Sequence, residues 1–300
     1  MVVVFIAPDK IFRLKTIVHE LNPITKTEAI NDYIKLQLIP CYKIKDSSLI
    51  GNTAADFFFF KYRIKTLGNK GVSFYDLIKN IDDYINNKNF KSLERYYDNT
   101  ISEYKLYYTY YRLYYGSVSQ FKAIIAKKLY CKFKADKILD FSAGWGGRCL
   151  AAMSLNLNYT GIDSNILLKK PYEAMIKTYS HDSQINMIFK DSSKIDYSKL
   201  DYNFVFTSPP YYNTQLIETY EKMPLYKSKE DFNENFFFKV VKNSYDNMKN
   251  GTYILNIPDY MYVDIKQILG PSDKKKLLYI NKRNNNYKEY IYIWFKKTMV

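Results

Sequence analysis

Two patterns of apolar and polar positions divide the chain. From Lys10 to about Tyr111 the apolar residues recur mainly at helical spacing. Across Ile81–Lys105, Ile81, Tyr84, Ile85, Phe90, Leu93, Tyr96 and Tyr97 are interleaved with charge. That predicts an amphipathic helix with a break near Asn86-Asn87. The run Asp56-Phe57-Phe58-Phe59-Phe60 reads as a short strand or a fully buried segment. Gly68-Asn69-Lys70-Gly71 reads as a loop. Val2-Val3-Val4-Phe5-Ile6 reads as a short strand or buried terminal segment.

From about Tyr115 short apolar runs alternate with helical ones. The spacing predicts helices over Val118–Phe133, Arg148–Ser154, Pro171–Tyr179 and Asn233–Lys249. Strands are predicted at Lys137–Asp140, Tyr159–Asp163, Ile185–Asp191, Asn203–Thr207 and Gly251–Ile257. Leu277–Asn281 and Glu289–Phe295 read as a closing hairpin through Asn284-Asn285-Asn286. Strands alternating with helices predict an α/β fold with a doubly wound, mostly parallel sheet. The hairpin adds an antiparallel strand at or near the edge. The expected division is a mainly helical region, residues 1–111, and an α/β domain, residues 112–300.

Composition narrows the partners. The chain has 300 residues, is 47% hydrophobic and carries 45 basic against 30 acidic residues, a formal charge of +15. That excess fits a polyanion, most simply nucleic acid, or a basic protein kept soluble by repulsion. Cys41, Cys131 and Cys149 are widely spaced, which predicts no disulfide, no zinc site and a reducing intracellular compartment. Asp9 and Lys10 interrupt the apolar start, so no signal peptide is expected. No apolar run reaches membrane-spanning length. Tyrosine is abundant, at 32 residues. Tyr107, Tyr108, Tyr110, Tyr111, Tyr114 and Tyr115 are expected to pack through their rings, with stacking on bases as the second reading.

Two motifs carry chemistry. Ser208-Pro209-Pro210-Tyr211 leaves the apolar strand Phe204-Val205-Phe206. The Ser208 hydroxyl and the Pro209 carbonyl can accept both N–H bonds of a planar exocyclic amine. Proline stiffens the turn and has no N–H of its own. The ring of Tyr211 offers a face for a base. A plain Ser-Pro-Pro turn is the competing reading. The second motif, Asp140-Phe141-Ser142-Ala143-Gly144-Trp145-Gly146-Gly147-Arg148, lies between a predicted strand and a predicted helix. Small residues there admit a ligand close to backbone, and a helix start supplies free N–H groups. Sixteen residues past Gly147, Asp163 ends the next strand, where a carboxylate can accept from ribose hydroxyls. The pattern fits a dinucleotide or another adenosine-containing cofactor. Asp191, after the third strand, reads as an adenine contact or as a helix N-cap.

Together these motifs resemble the S-adenosylmethionine-dependent amino-methyltransferases that act on DNA. The resemblance covers roughly residues 112–298. It rests on the Asp140–Gly147 loop, Asp163, Asp191 and Thr207-Ser208-Pro209-Pro210-Tyr211 in the family's order. It implies that Asp140, Ser142, Gly144 and Gly146 line the methionine part of S-adenosylmethionine, with Asp163 on the ribose and Asp191 on the adenine. Ser208, Pro209, Pro210 and Tyr211 would hold the target amine. The Thr-Ser-Pro-Pro-Tyr form leans towards cytosine N4 over adenine N6. Gly116–Phe121 occupies the place of an element that touches the methionine carboxylate, and also reads as a capped helix start. A methyltransferase of RNA or of protein glutamine, and an inactive scaffold, are the alternatives.

Other residues carry weaker signals. Arg148 reads as a ligand contact or a solvated helix-start charge, and Trp145 as a cofactor cover or a core plug. His19 and His181 read as structural or exposed, and Lys274-Lys275-Lys276 as a phosphate contact or a solvated face. Tyr212, Asn213 and Glu218 are expected in a loop over the target pocket, with Asn256 and Asp259 on the same rim. Roughly sixty residues separate Gly147 from Ser208, too few for an inserted recognition domain. Target recognition is therefore expected from residues 1–111, from the 212–231 loop or from a partner subunit. Residues 1–111 also suit a helical cap or a homodimer contact.

Overall fold

Strands β1 (Lys137–Asp140), β2 (Asn158–Asp163), β3 (Ile185–Phe189), β4 (Phe204–Thr207), β5 (Gly251–Pro258), β6 (Lys274–Ile280) and β7 (Lys288–Lys296) form one sheet. Its order is β3-β2-β1-β4-β5-β7-β6. The computed structural model describes residues 8–297 apart from Asn69, Asn99, 181–182, 212–225 and 281–287. The segment Val2–Ile6, His181, Tyr212, Asn213, Glu218 and the Asn284–Asn286 turn lie outside the described residues.

The first five strands are parallel, and β7 runs antiparallel between β5 and β6. This is the doubly wound, Rossmann-like sheet expected from the alternation. The chain order reverses between β1 and β4, so their carboxyl ends form the switch point where such sheets hold ligands.

Helices precede and cover the sheet. They are α1 (Pro8–Leu21), α2 (Lys26–Leu38), α3 (Asn52–Arg63), α4 (Phe74–Lys79), α5 (Asp82–Ile85), α6 (Lys88–Tyr97), α7 (Glu103–Tyr114), α8 (Ala123–Lys132), α9 (Gly147–Met153), α10 (Lys169–Tyr179), α11 (Lys229–Phe232), α12 (Phe238–Asp246) and α13 (Asp259–Leu269). Asn87 caps α6 after the expected break, and a second break follows Asp98, whose φ is 39°. A π-helical turn, Asn233–Phe237, joins α11 to α12. Residues 116–122 lie ahead of α8, which is shorter than its predicted span.

The phenylalanine run is helical, not a strand. It belongs to α3, where Phe58, Phe59 and Phe60 are buried and Phe57 faces outward. A short apolar run does not distinguish strand from buried helix. The helix α13 after β5 has no counterpart among the predicted elements. Its Met261 and Ile265 are buried one helical turn apart.

The N-terminal helices fall into two groups. Helices α2 and α3 share the core on one face of the sheet through Tyr33, Leu36, Phe58 and Phe59. Tyr33 stacks on Tyr179 at 4.3 Å and donates to its carbonyl. Buried Lys127 on α8 donates to the carbonyls of Leu36 and Gln37, which end α2. Such charge-assisted bonds are the stronger kind. A separate cluster joins Ile17, Phe60, Phe74 and Phe90 with Tyr107, Tyr110 and Tyr111. Those three tyrosines are buried, so their rings pack inside this cluster.

The cysteine expectation needs correction. Cys41 and Cys131, 90 residues apart, are disulfide-bonded, with Cα atoms 6.3 Å apart. The fold brings α8 against the short turn Cys41–Lys43, a proximity that spacing does not reveal. A reducing compartment therefore does not follow from the cysteines. Cys149 is free and buried. Among the described residues no helix is long and apolar enough to cross a membrane, and no three His, Cys, Asp or Glu are placed to hold a metal ion.

Candidate active site

The two sequence motifs leave the sheet side by side. β1 and β4 are paired neighbours, Ile138 with Phe204 and Leu139 with Val205. Adjacent strands lie about 4.8 Å apart. The glycine loop after Asp140 and the Ser208–Tyr211 run after Thr207 therefore start at one edge of the switch point.

Asp140 is fully buried and holds the loop together. It accepts from Arg148 Nε at 2.6 Å and Nη2 at 3.3 Å, from the Tyr159 hydroxyl at 2.7 Å and from the Ser142 amide at 3.2 Å. Arg148 also donates to the Ser142 carbonyl. Neither expectation for Arg148 holds: it is 4% exposed and is spent on this internal ion pair. Burial opposes its charge, and the neighbouring Asp140 carboxylate outweighs burial, so its pKa is raised. Trp145 is buried in the core cluster, which is the plug reading.

The three glycines do different work. A Cβ on Gly147 would stand 2.1 Å from the Phe121 carbonyl oxygen. One on Gly146 would meet the Phe59 ring at 2.5 Å. Those two glycines permit close packing by residues 116–122 and by α3. Gly144, at φ +60°, would meet nothing nearer than the Ser142 carbonyl at 3.8 Å. Its open side is where a ligand can approach the backbone.

The carboxylate of Asp163 braces this loop. It accepts from the Gly144 amide and from the Asn165 amide, each at 2.8 Å. A carboxylate has about four acceptor positions, so two remain for hydroxyl donors. Burial raises its pKa to about 6, against the lowering effect of the Asn165 and Gly144 amides. The Tyr172 hydroxyl donates to the Gly144 carbonyl and accepts from the Gly146 amide. Just past Asp163, Ile166 and Leu167 are exposed, an apolar pair at the end of β2. Neither Tyr172 nor this pair is singled out by sequence; the only signal is their nearness to the acid.

Asp191 caps a short 3₁₀ turn, accepting from the Ser193 amide at 2.9 Å and hydroxyl at 2.8 Å. This is the N-cap reading. Ser192, next to it, donates to the Phe141 carbonyl and so fixes the turn beside the glycine loop.

The second motif is tied to Asn256 on β5. Asn256 Nδ2 donates to the Tyr290 carbonyl at 3.2 Å, which fixes the amide orientation. Its Oδ1 is then an acceptor, and Ser208 donates to it at 2.9 Å. Tyr211 donates its hydroxyl to the Asn256 carbonyl at 3.0 Å. Its ring is half-buried against the second core cluster. Thr207, at the end of β4, has a buried Oγ1 without a hydrogen-bond partner among the described residues. Asn256 reads from sequence as a rim residue without a role; its tie to the motif appears only in three dimensions. His19 is exposed on α1.

No family profile and no curated protein matches this chain. Solved structures of similar fold include three methyltransferases. TrmN from Thermus thermophilus is 12% identical, with a TM-score of 0.44, over 59% of this chain and 49% of that one. The magnesium protoporphyrin IX methyltransferase of Synechocystis PCC 6803, solved with bound SAM, is 12% identical, with a TM-score of 0.42, over 72% and 95%. A methyltransferase from Pyrococcus furiosus is 17% identical, with a TM-score of 0.42, over 70% and 100%. The chain thus spans about half of the first of these and nearly all of the other two.

Proposed function

We propose that this protein transfers a methyl group from S-adenosylmethionine to the exocyclic amine of a nucleic-acid base, cytosine N4 of DNA before adenine N6. The observation that carries the reading is the fixed direction of the Ser208 hydroxyl. Its proton is committed to Asn256 Oδ1, so its lone pairs remain to accept an amine N–H.

The residues present suit the methyl donor. Gly144 leaves an approach to the backbone, Asp163 keeps acceptor positions for ribose hydroxyls, and Ile166 with Leu167 offers an apolar face to adenine. Asp140 acts as the anchor of the loop, with Arg148, rather than as a direct contact. Bound there, the donor supplies an electrophilic sulfonium methyl.

An exocyclic amine is a weak nucleophile because its lone pair is delocalised into the ring. Ser208 Oγ and the Pro209 carbonyl accept its two N–H bonds and draw the nitrogen towards tetrahedral geometry. That localises the lone pair on the side facing the glycine loop. The Tyr211 ring supports the base and favours positive charge building on nitrogen. Ser208 carries no charge and does not take the proton, which leaves to solvent. Rate then comes from alignment and preorganised acceptors. In a duplex the base must first be turned out of the stack.

The test is incubation with labelled donor and DNA, RNA or protein, followed by digestion and identification of the modified unit. Label in cytosine or adenine of DNA supports the reading. Label only in RNA or glutamine moves the substrate to that class. No donor bound and no transfer leaves a scaffold.

A further inference from the structure

We infer that a basic groove between α8 and β6–β7 holds a single-stranded stretch of the nucleic-acid substrate that runs on from the reacting base. The inference rests on the nucleic-acid reading above and extends it to a second contact surface.

The groove encloses about 610 Å³ and is walled by Lys128 and Lys132 on α8 and by Lys274 and Lys276 on β6. Its floor is apolar: Leu129, Phe133, Ile291 and Ile293. The Phe133 and Phe295 rings lie 6.0 Å apart, tilted by 52°, and both are partly exposed. The Lys132 ammonium lies 5.5 Å over the first ring and that of Lys274 lies 5.3 Å over the second. Rings between two rows of cations suit a strand that presents phosphates and bases together.

Few acids offset this charge. Asp46 bridges Lys128 at 2.7 Å and Lys276 at 3.0 Å, and those ammoniums hold its carboxyl below the usual range. Asp273 accepts from the Phe295 amide at 2.6 Å. Lys275 also lines the groove, and its ammonium pairs with Asp259 at 2.9 Å. Lysines on an edge strand also block unwanted strand pairing. That role does not call for a facing row of lysines on α8, nor for two phenyl rings between the rows.

One end of the groove approaches the active site, and the other, at Phe295 opposite Thr252, lies towards the start of β5. Asn256 pairs across β7 with Ile291, and Ile291 pairs with Lys276. Two strand spacings put Lys276 roughly 10 Å from the residue that orients Ser208.

The test is fluorescence anisotropy with labelled oligo-dT and oligo-rU of about 12 nucleotides, titrated over salt. Wild type should bind, and Lys132→Ala with Lys274→Ala should weaken binding about tenfold. The salt slope should fall by about 1.4, two phosphates at roughly 0.7 each. Phe133→Leu should weaken binding with the slope unchanged. The control is Lys88→Ala with Lys91→Ala on α6, the same loss of charge at exposed distant positions. Equal losses in control and groove variants would overturn the inference, as would no loss in the groove pair. If wild type binds neither oligonucleotide, the groove inference fails, and the methyl-transfer assay decides the nucleic-acid reading separately. If wild type binds and the groove variants bind as it does, the groove alone fails.

Discussion

The Ser208 hydroxyl donates to the side-chain carbonyl of Asn256 over 2.9 Å, which joins the turn after β4 to the neighbouring strand β5. The same asparagine accepts the Tyr211 hydroxyl through its backbone carbonyl. One residue thus sets both polar groups of the Ser-Pro-Pro-Tyr turn. Ser208→Ala, which deletes an acceptor of the amine, should lower kcat by roughly 10²-fold, the order for one preorganised polar contact at a reacting centre. Asn256→Ala leaves Ser208 in place but frees its proton, and should lower kcat about tenfold through misorientation. Cofactor affinity by calorimetry should hold in both. A wild-type kcat for Asn256→Ala would show that the direction of the Ser208 hydroxyl is unused.

Tyr211 allows ring and hydroxyl to be separated. Tyr211→Phe loses the hydroxyl's bond to the Asn256 carbonyl and its longer contacts with Asn256 Oδ1 and Glu289 Oε2, and keeps the aromatic face. It should retain activity within about tenfold, since a single neutral hydrogen bond contributes about 1 kcal/mol net. Tyr211→Ala also loses the stacking surface, a further cost of about 1–3 kcal/mol in binding the base. Steady-state methylation of an oligonucleotide distinguishes them. Equal losses in both variants would assign the hydroxyl, not the ring, to the base.

The glycine loop, Asp163 and the Ser-Pro-Pro-Tyr turn were legible because each is a local signal at the end of an apolar strand. The alternation of strands and helices likewise carries the sheet, since period and connection length are local properties. What failed was set by tertiary contact. Phe57–Phe60 has no polar residue inside it to mark helical period, and only packing against the glycine loop and α10 reveals α3. An arginine at a helix start reads as solvated unless the carboxylate eight residues earlier is known to be buried beside it, as Asp140 is beside Arg148. In α13 the tyrosines, valine and isoleucines weaken helix propensity, and Met261 with Ile265 supplies the buried stripe that decides it. Cys41 and Cys131 meet only because α8 folds back on the N-terminal segment.

Gly144 and Gly147 should respond differently to alanine. Gly147→Ala drives a methyl into the Phe121 carbonyl and should compromise the fold itself. Gly144→Ala has room within the protein but fills the side left open to the ligand. Its left-handed backbone should cost about 1–2 kcal/mol of stability. Affinity for S-adenosylmethionine should fall at least about tenfold, equivalent to about 1.4 kcal/mol. Gly71→Ala is the matched control, with φ +69° and nothing within 4 Å of its added methyl. Melting curves and calorimetry on the three variants separate strain from occlusion. If Gly144→Ala binds the cofactor like Gly71→Ala, the open side of Gly144 is not the binding face.

If Asp163 holds the ribose as proposed, it should link cofactor affinity to pH in a direction opposite to its effect on stability. Its pKa rises from 3.8 to about 6, chiefly through burial. The folded state therefore takes up a proton that the unfolded state releases between those values. The contribution of this group to stability is full below pH 3.8 and is lost as pH rises through about 6. Ribose hydroxyls, by contrast, need the ionised carboxylate as acceptor. Affinity for S-adenosylmethionine should fall about tenfold from pH 7 to pH 5, the span of one protonation centred near 6. Asp163→Asn should bind more weakly at pH 7 and lose that pH dependence. It should also be relieved of the buried charge, so that its stability relative to wild type improves as pH rises from 5 to 7. Calorimetry and thermal melting at matched pH follow the two quantities, and parallel movement of affinity and stability would remove Asp163 from the ribose site.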